Sequence, residues 1–236
     1  MIGHPAVAEI LAHAGFDWLV ADLEHSTLSI ADAGELIRTI DLCGVAPLVR
    51  LTENDPSQIK RVMDAGAHGI IAPMINSPAE AERAVKATRY PPQGRRGVGL
   101  GRAQGYGVGF RDYVTWQKSE AVVAVQIEHR DAVDNIDAIL AVDGVDAFLI
   151  GPYDLSCSLG LPGALDHPLV LQAIEHVREA GRRSGKPGGI HIVEPDPDQL
   201  VKAVGAGFRF IAYGVDFRML DVAARTGVGR FRGVAV

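Results

Sequence analysis

Short apolar runs rich in valine, isoleucine and alanine recur along the chain, and a longer amphipathic stretch follows each run. This alternation is typical of parallel strands whose sheet is covered by helices. The pattern therefore predicts a protein of the α/β class. Seven runs are predicted strands: residues 18–23, 46–51, 69–74, 121–127, 145–150, 188–192 and 208–215.

The segments between these strands carry the start signals of helices. Ser77 is a predicted N-cap because Pro78 follows it at the first helical position, and Pro56 and Pro197 open two further helices. One strand and its helix together take roughly 20 to 30 residues, and a barrel of eight such units takes about 250. The order of elements thus predicts a parallel (β/α)8 TIM barrel.

This predicted barrel is one strand short. The missing strand would precede Ile2, so we expect the first strand of the barrel to be truncated or absent. An open, doubly wound sheet is the alternative architecture. It needs a topological switch point, which the pattern does not show.

Composition and charge narrow the class of function. The chain has 236 residues, 47% of them hydrophobic, and this length suits one domain spanning residues 1–236. The net charge of −6 and the scattered basic residues argue against a nucleic-acid or membrane partner and favour a small molecule. Cys43 and Cys157 belong to no zinc or redox motif, which predicts reduced thiols in a cytoplasmic protein.

Polar side chains interrupt the apolar pattern where four predicted strands end. In a parallel barrel, the carboxyl ends of the strands build the active site, so these positions carry more weight than other polar positions. They are residues 22–26 (DLEHS), Arg50, residues 126–128 (QIE) and residues 151–154 (GPYD).

Glu128 and Asp154 end consecutive strands and should therefore lie side by side at one rim of the barrel. Two carboxylates suit Mg²⁺ or Mn²⁺, which take oxygen ligands and leave positions for water and substrate. The alternative is that each carboxylate caps a helix or pairs with an arginine such as Arg130.

His25 and Arg50 are the candidate groups for proton transfer and for charge stabilisation. An imidazole titrates near neutral pH, so His25 could act as a general base, with Asp22 and Glu24 orienting it or raising its basicity. Arg50 has no carboxylate adjacent in sequence, so a substrate carboxylate or a developing enolate could be its partner. The alternative is a salt bridge across the barrel, for example to Glu128.

The glycine-rich segment of residues 94–109 follows two prolines and lacks the Gly-Lys-Ser/Thr element of a phosphate loop. We interpret it as a mobile substrate loop whose Arg95, Arg96 and Arg102 could bind an anion. A Schiff-base aldolase is disfavoured because the candidate lysines stand in helices or loops rather than at strand ends: Lys60, Lys86 and Lys118.

Taken together, five segments resemble the HpcH/HpaI family of class II aldolases over nearly the whole chain. They are DLEH at residues 22–25, the long segment 47–74, RYPPQGRRGVG at 89–99, VQIE at 125–128 and GVDAFLIGPYDLS at 144–156. The resemblance implies a barrel of the phosphoenolpyruvate/pyruvate type. It also implies a carbon–carbon lyase that reversibly cleaves a 4-hydroxy-2-oxo acid into pyruvate or hydroxypyruvate and an aldehyde, as 4-hydroxy-2-oxoheptanedioate and 2-dehydro-3-deoxy sugar acid aldolases do.

The resemblance also assigns roles to single residues. It implies that Glu128 and Asp154 bind a divalent metal ion, either Mg²⁺, Mn²⁺ or Co²⁺, and that His25 is the proton acceptor. Arg50 matches the residue that steadies the enolate oxygen, and Asp64 matches the acid that raises the basicity of the histidine. The residues matching those that hold the oxo-acid end of the substrate are Arg50, Gln126, Tyr153 and Asp154.

The chain departs from the family pattern in two places. It lacks the initial strand with a Gly-x-Trp element, and Tyr153 stands where many members have a small residue. The family commonly forms hexamers, so we expect a homo-oligomer. Oxaloacetate decarboxylation by the same metal and arginine, and a non-catalytic barrel that binds an oxo acid, are the alternative functions.

Overall fold

Seven parallel strands form one curled sheet whose strand order follows the chain in the computed structural model, which describes residues 2–234. All seven predicted strands are confirmed, and most are a residue or more shorter than predicted. The strands are β1 (Trp18–Asp22), β2 (Ala46–Arg50), β3 (Gly69–Ala72), β4 (Val122–Ile127), β5 (Ala147–Ile150), β6 (Gly188–Ile192) and β7 (Phe210–Tyr213).

Helices alternate with these strands and cover the outer face of the sheet. A short 3₁₀ segment, Arg102–Gly107, lies between the fourth and fifth helices. The helices are α1 (Pro5–His13), α2 (Ile30–Leu42), α3 (Pro56–Asp64), α4 (Pro78–Thr88), α5 (Phe110–Ser119), α6 (Arg130–Asp134), α7 (Ile136–Leu140), α8 (Pro152–Ser158), α9 (Pro168–Ser184), α10 (Pro197–Gly205) and α11 (Asp216–Val234).

The predicted caps explain why several helices begin where they do. The Ser77 hydroxyl accepts a hydrogen bond from the backbone N–H of Glu80, and Pro78 occupies the first turn of α4, as predicted. Asp55 caps α3 in the same way, by accepting hydrogen bonds from the N–H groups of Ser57 and Gln58. Each cap fixes the loop that leads away from the carboxyl end of a strand.

The sheet curls into an incomplete barrel. β1 and β7 are its two edges, and within residues 2–234 no strand pairing joins them. The edges nevertheless face each other, since the rings of Trp18 and Phe210 stack with centroids 4.5 Å apart. This is a TIM-type barrel with one strand missing, which confirms the predicted fold.

Side chains on alternate strand positions point to the two faces of the sheet and create two apolar regions. The larger region lies between the sheet and the helices and includes Val49, Ile70 and Val123. The smaller region fills the inside of the barrel with Ile71, Leu149 and small alanines, and Val20, Phe210 and Ala212 pack against it. The inner positions at the carboxyl ends of the strands are polar, and they form the site described next.

None of the described helices combines the length and apolar character needed to cross a membrane.

Candidate active site

Arg50 and Asp22 form a two-point ion pair at the carboxyl ends of the first two strands. Asp22 stands directly opposite Arg50 in the register of β1 and β2. The Nε and Nη2 atoms of Arg50 donate to Asp22 Oδ1 and Oδ2 at 2.9 and 2.7 Å, and the side chains are only 13% and 8% exposed. Arg50 therefore has a carboxylate partner within the fold, and this partner is Asp22 rather than Glu128.

This pair also organises the turn that follows β1. Asp22 Oδ1 accepts hydrogen bonds from the backbone N–H groups of Glu24 and His25 at 3.0 and 3.4 Å. Burial alone would raise the pKa of Asp22, but the hydrogen bond and charge of Arg50, with these two N–H groups, bring the pKa below its ordinary value. Asp22 is thus ionised and orients Arg50, and its contact with the predicted base is through the backbone N–H of His25 rather than the imidazole.

Glu24 lies on the other side of the same guanidinium. Its Oε2 is 3.1 Å from Arg50 Nη1, yet this buried oxygen accepts no hydrogen bond. Burial, partly offset by Arg50, together with the charges of Glu128, Asp22 and Asp154, raises the pKa of Glu24 to about 7. The rim therefore holds more carboxylate charge than Arg50 can neutralise.

Glu128 is buried at the end of β4, with 2% of its surface exposed. Its Oε1 accepts a 2.7 Å hydrogen bond from the backbone N–H of Met74, which has an unusual φ of 51°, and its Oε2 accepts one from the amide of Gln126. Burial raises the pKa of Glu128, and the charge of Asp154 raises it further against these hydrogen bonds. A side chain at Gly151 would crowd this carboxylate, because its Cβ would lie 2.8 Å from Glu128 Oε2.

Asp154 and Tyr153 are in the first turn of α8, just after β5, and both are exposed. Asp154 follows the carboxyl end of β5, which pairs with β4, so it belongs to the same rim as Glu128. The two predicted metal ligands therefore stand at the carboxyl ends of neighbouring strands, with Glu128 buried and Asp154 exposed to solvent.

The donor set of this rim fits a divalent cation. Two buried oxygens, Glu24 Oε2 and Gln126 Oε1, accept no hydrogen bond, and burial together with the charges of Glu128, Asp22 and Asp154 raises the pKa of Glu24. Within residues 2–234, no three His, Cys, Asp or Glu side chains converge into a complete metal cage. Glu128 and Asp154 would thus supply two positions and leave the others for water and substrate, as is usual for Mg²⁺.

His25 is exposed beside this rim. Its Nε2 lies 3.8 Å from Glu24 Oε2, and 57% of its side chain is accessible. An imidazole in this position can reach a ligand bound at the rim and exchange protons with solvent. Of the two residues predicted to orient His25, Glu24 lies close to its imidazole, whereas the carboxylate of Asp22 is hydrogen-bonded to Arg50.

Asp64 is not part of this rim. It is the last residue of α3, just before β3 begins, and so stands at the opposite end of the barrel from the carboxyl ends of the strands. Its carboxylate accepts a 2.5 Å hydrogen bond from the buried Arg96 and contacts the Gln104 amide. One chain alone does not bring Asp64 to His25, so its predicted role stays a prediction.

The glycine-rich segment packs at that same opposite end. Arg96 is held by Asp64 and by the hydroxyl of Tyr113, and Arg102 pairs with Asp41 of α2. The expectation that these arginines are available to an anionic substrate is therefore wrong for Arg96 and Arg102, because carboxylates of this chain already engage them. Arg95 alone of the three remains exposed.

His191 is a polar residue of the inner barrel that the sequence analysis missed. It stands near the carboxyl end of β6 and lines a half-open pocket together with Asp22 and Arg50. The signal was present, since a histidine interrupts the apolar run GGIHI near the end of a predicted strand. The rule that selected the other strand ends would have selected it too.

Enzymes built on parallel barrels have their active sites at the carboxyl ends of the strands, and this chain has its charged, acid-rich rim there. A family model described as HpcH/HpaI aldolase/citrate lyase matches residues 2–222. The chain belongs to this family, which confirms the resemblance found in the sequence.

Individual relatives agree with this assignment. A hydroxypyruvate/pyruvate aldolase of Chromohalobacter salexigens is 40% identical over 96% of this chain and 89% of the relative. A 4-hydroxy-2-oxo-heptane-1,7-dioate aldolase of Escherichia coli is 42% identical over 95% of this chain and 85% of the relative. A crystal structure of a family member from Burkholderia cenocepacia has a TM-score of 0.92 and 36% identity, covering 98% of this chain and 91% of that chain. Because these relatives are aldolases and the chain shares their family, the chain is a carbon–carbon lyase.

Proposed function

We propose that this protein is a divalent-metal-dependent class II aldolase that reversibly cleaves a 4-hydroxy-2-oxo acid into pyruvate, or hydroxypyruvate, and an aldehyde. Its partners are then a small oxo acid and an aldehyde. The observation that carries the proposal is the composition of the rim. A single guanidinium, Arg50, faces Asp22, Glu24 and Glu128, and this excess of buried negative charge favours a bound cation.

Glu128 and Asp154 are the residues that would hold the metal. When bound there, a divalent cation would act as a Lewis acid that polarises the 2-oxo group of the substrate. Gln126 stands beside Glu128 with a buried carbonyl oxygen that accepts no hydrogen bond, so it can accept one from a water molecule bound next to the oxo-acid end of a ligand. Tyr153, exposed in the same turn as Asp154, forms the outer side of the site.

Arg50 would steady the enolate that forms as the C3–C4 bond breaks. Asp22 fixes the guanidinium in one orientation through two hydrogen bonds, so little reorganisation is needed when charge develops on the substrate. His25 would accept the proton of the 4-hydroxyl group, and the electron pair of the C3–C4 bond would pass to the enolate. In the synthetic direction, the same imidazole would take a proton from the methyl group of pyruvate.

Replacing Arg50 tests this assignment. Arg50→Ala should lower kcat/KM for pyruvate release from 4-hydroxy-2-oxo acids by about 100- to 1,000-fold, because one preorganised stabiliser of the transition state is lost. The measurement is coupled detection of pyruvate, with oxaloacetate as a parallel substrate to reveal decarboxylation.

Arg130→Ala is the matched control, since Arg130 follows β4 but is 64% exposed and pairs only weakly with Asp131. It should leave the rate within a few-fold of the parent. An Arg50→Ala variant that is folded and equally active would remove Arg50 from the mechanism.

A further inference from the structure

Met74 lies in the loop that joins β3 to α4, and its backbone has a conformation that residues other than glycine rarely adopt. Its φ is 51°, and within residues 2–234 Tyr106 is the one other non-glycine residue with a positive φ. Met74 is 46% exposed, so its side chain is not held in the core. Backbone strain that core packing does not explain is frequent at functional sites.

This conformation turns two successive backbone N–H groups toward β4. In an extended strand, successive N–H groups point to opposite sides, so only one of the two would face the neighbouring strand. Here the N–H of Met74 donates to Glu128 Oε1 at 2.7 Å, and the N–H of Ile75 donates to the backbone carbonyl of Gln126 at 3.4 Å. The positive φ therefore aims a backbone donor at the buried carboxylate of Glu128.

The segment after Met74 is fixed by its surroundings, which keeps the strained residue in place. The side chain of Ile75 is completely buried in the core between the sheet and the helices. The backbone N–H of Asn76 donates to Glu80 Oε2 at 2.8 Å, and the backbone carbonyl of Asn76 accepts a 2.9 Å hydrogen bond from the amide of Asn135. Strain of this kind persists only where the surrounding structure imposes it.

Both oxygens of Glu128 are held by hydrogen bonds. Oε1 accepts from the Met74 N–H, and Oε2 accepts from the side-chain amide of Gln126. Gly151 leaves no room for a further side chain beside Oε2. Hydrogen bonds that orient a metal-binding side chain typically contribute about 10- to 100-fold to metal affinity.

We propose that Met74 is a positioning residue for Glu128, and that it acts through its left-handed backbone rather than through its side chain. The inference rests on the proposed function for the role of Glu128 as a metal ligand. The residue type at position 74 should then matter only through its tolerance of a positive φ. Glycine and asparagine adopt this conformation readily, whereas a β-branched residue resists it.

Binding of Mn²⁺ to chelator-treated protein, measured by isothermal titration calorimetry, tests the inference without turnover. Met74→Gly and Met74→Asn should keep the Kd for Mn²⁺ within about threefold of the parent, although both remove the thioether. Met74→Val should raise this Kd by about 10- to 100-fold, because the turn relaxes and withdraws the N–H from Glu128. Met74→Thr, which is also β-branched, repeats the test with a polar side chain.

Tyr106→Val is the matched control for the cost of the backbone strain. Tyr106 has a similar φ of 56°, but it lies in the 3₁₀ segment at the opposite end of the barrel. The substitution places the same β-branched residue on a positive φ without touching Glu128. It should lower the urea midpoint of unfolding as Met74→Val does, and leave the Kd for Mn²⁺ within about threefold of the parent.

Equal Mn²⁺ affinity in the parent and in folded Met74→Val and Met74→Thr would overturn the inference. Met74→Gly that loses as much affinity as Met74→Val would also overturn it, because the thioether side chain would then carry the role. A parent that shows the expected order of Mn²⁺ affinities but cleaves no oxo-acid adduct would contradict the aldolase proposal and leave the positioning role intact. A parent without Mn²⁺ binding that depends on Glu128 would overturn both.

Discussion

At the residue scale, the defining feature of the site is carboxylate charge that the protein alone does not balance. Asp22 accepts hydrogen bonds from Nε and Nη2 of Arg50, and Glu24 Oε2, a buried oxygen that accepts no hydrogen bond, lies 3.1 Å from Nη1 of the same guanidinium. The charges of Glu128 and Asp154 add to this imbalance. Such an arrangement lowers stability unless a cation or a proton occupies the site.

Glu24 makes this imbalance measurable as a dependence of stability on pH. Its pKa is raised to about 7 in the folded protein, so between its ordinary value and pH 7 the folded state binds more protons than the unfolded state. The stability that Glu24 contributes is therefore complete at low pH and is lost as the pH rises toward 7. In chelator-treated protein, Glu24→Gln should reduce the fall in unfolding free energy between pH 5 and 8 by about 2 kcal/mol.

Urea unfolding at several pH values provides this measurement. Glu179→Gln is the matched control, because Glu179 is an exposed carboxylate of α9 that pairs with the exposed Arg182. It should leave the pH dependence of the parent unchanged. Parallel curves for the parent and Glu24→Gln would show that Glu24 is ionised in the folded protein throughout this range.

The identity of the rim residues was predictable from sequence, but their pairing was not. Glu24, Arg50 and Glu128 were all selected because they interrupt or end apolar runs. Which carboxylate meets Arg50 depends on the register that sets Asp22 opposite it, and register is a property of the assembled sheet. The hydrogen bond from the Met74 N–H to Glu128 could not be predicted either, because it depends on the positive φ of Met74.

At the scale of elements, strands and helices followed from hydrophobic periodicity and from proline and serine punctuation. The seven strands are buried by helices and are rich in branched apolar residues, which is the strongest local signal that a parallel sheet provides. The ion pairs of residues 94–109 could not be predicted in this way. No carboxylate lies beside Arg96 or Arg102 in sequence, and only the fold brings Asp64 and Asp41 to them. Long-range ion pairs of this kind leave no local pattern.

At the scale of the whole molecule, the predicted role of Asp64 conflicts with its place in a single chain. His25 follows the carboxyl end of β1, whereas Asp64 precedes β3 at the opposite end of the barrel. The two can meet only if a neighbouring copy supplies one of them. This fits the expectation of a homo-oligomer, and exposed apolar side chains on α11, including Leu220 and Phe231, offer surface for assembly.

Mixing two inactive variants tests this reading. His25→Ala and Asp64→Asn should each lose activity as homo-oligomers, and co-expression should restore part of it, because some mixed sites combine an intact His25 with an intact Asp64. Mixing each variant with itself is the control. Asp64→Asn that keeps parental activity would leave Asp64 with only its structural bond to Arg96.

The measurement that tests the central claim most directly is pyruvate release from 4-hydroxy-2-oxo acids, first with EDTA, then with Mg²⁺ or Mn²⁺ restored, and in parallel with Glu128→Gln. Glu179→Gln serves as the control, because Glu179 is an exposed carboxylate of the outer helix α9 that pairs with Arg182. We predict that release stops with the chelator, returns with the metal, and is absent in Glu128→Gln alone. Release that is indifferent to chelator, metal and Glu128 would contradict a metal-dependent aldolase.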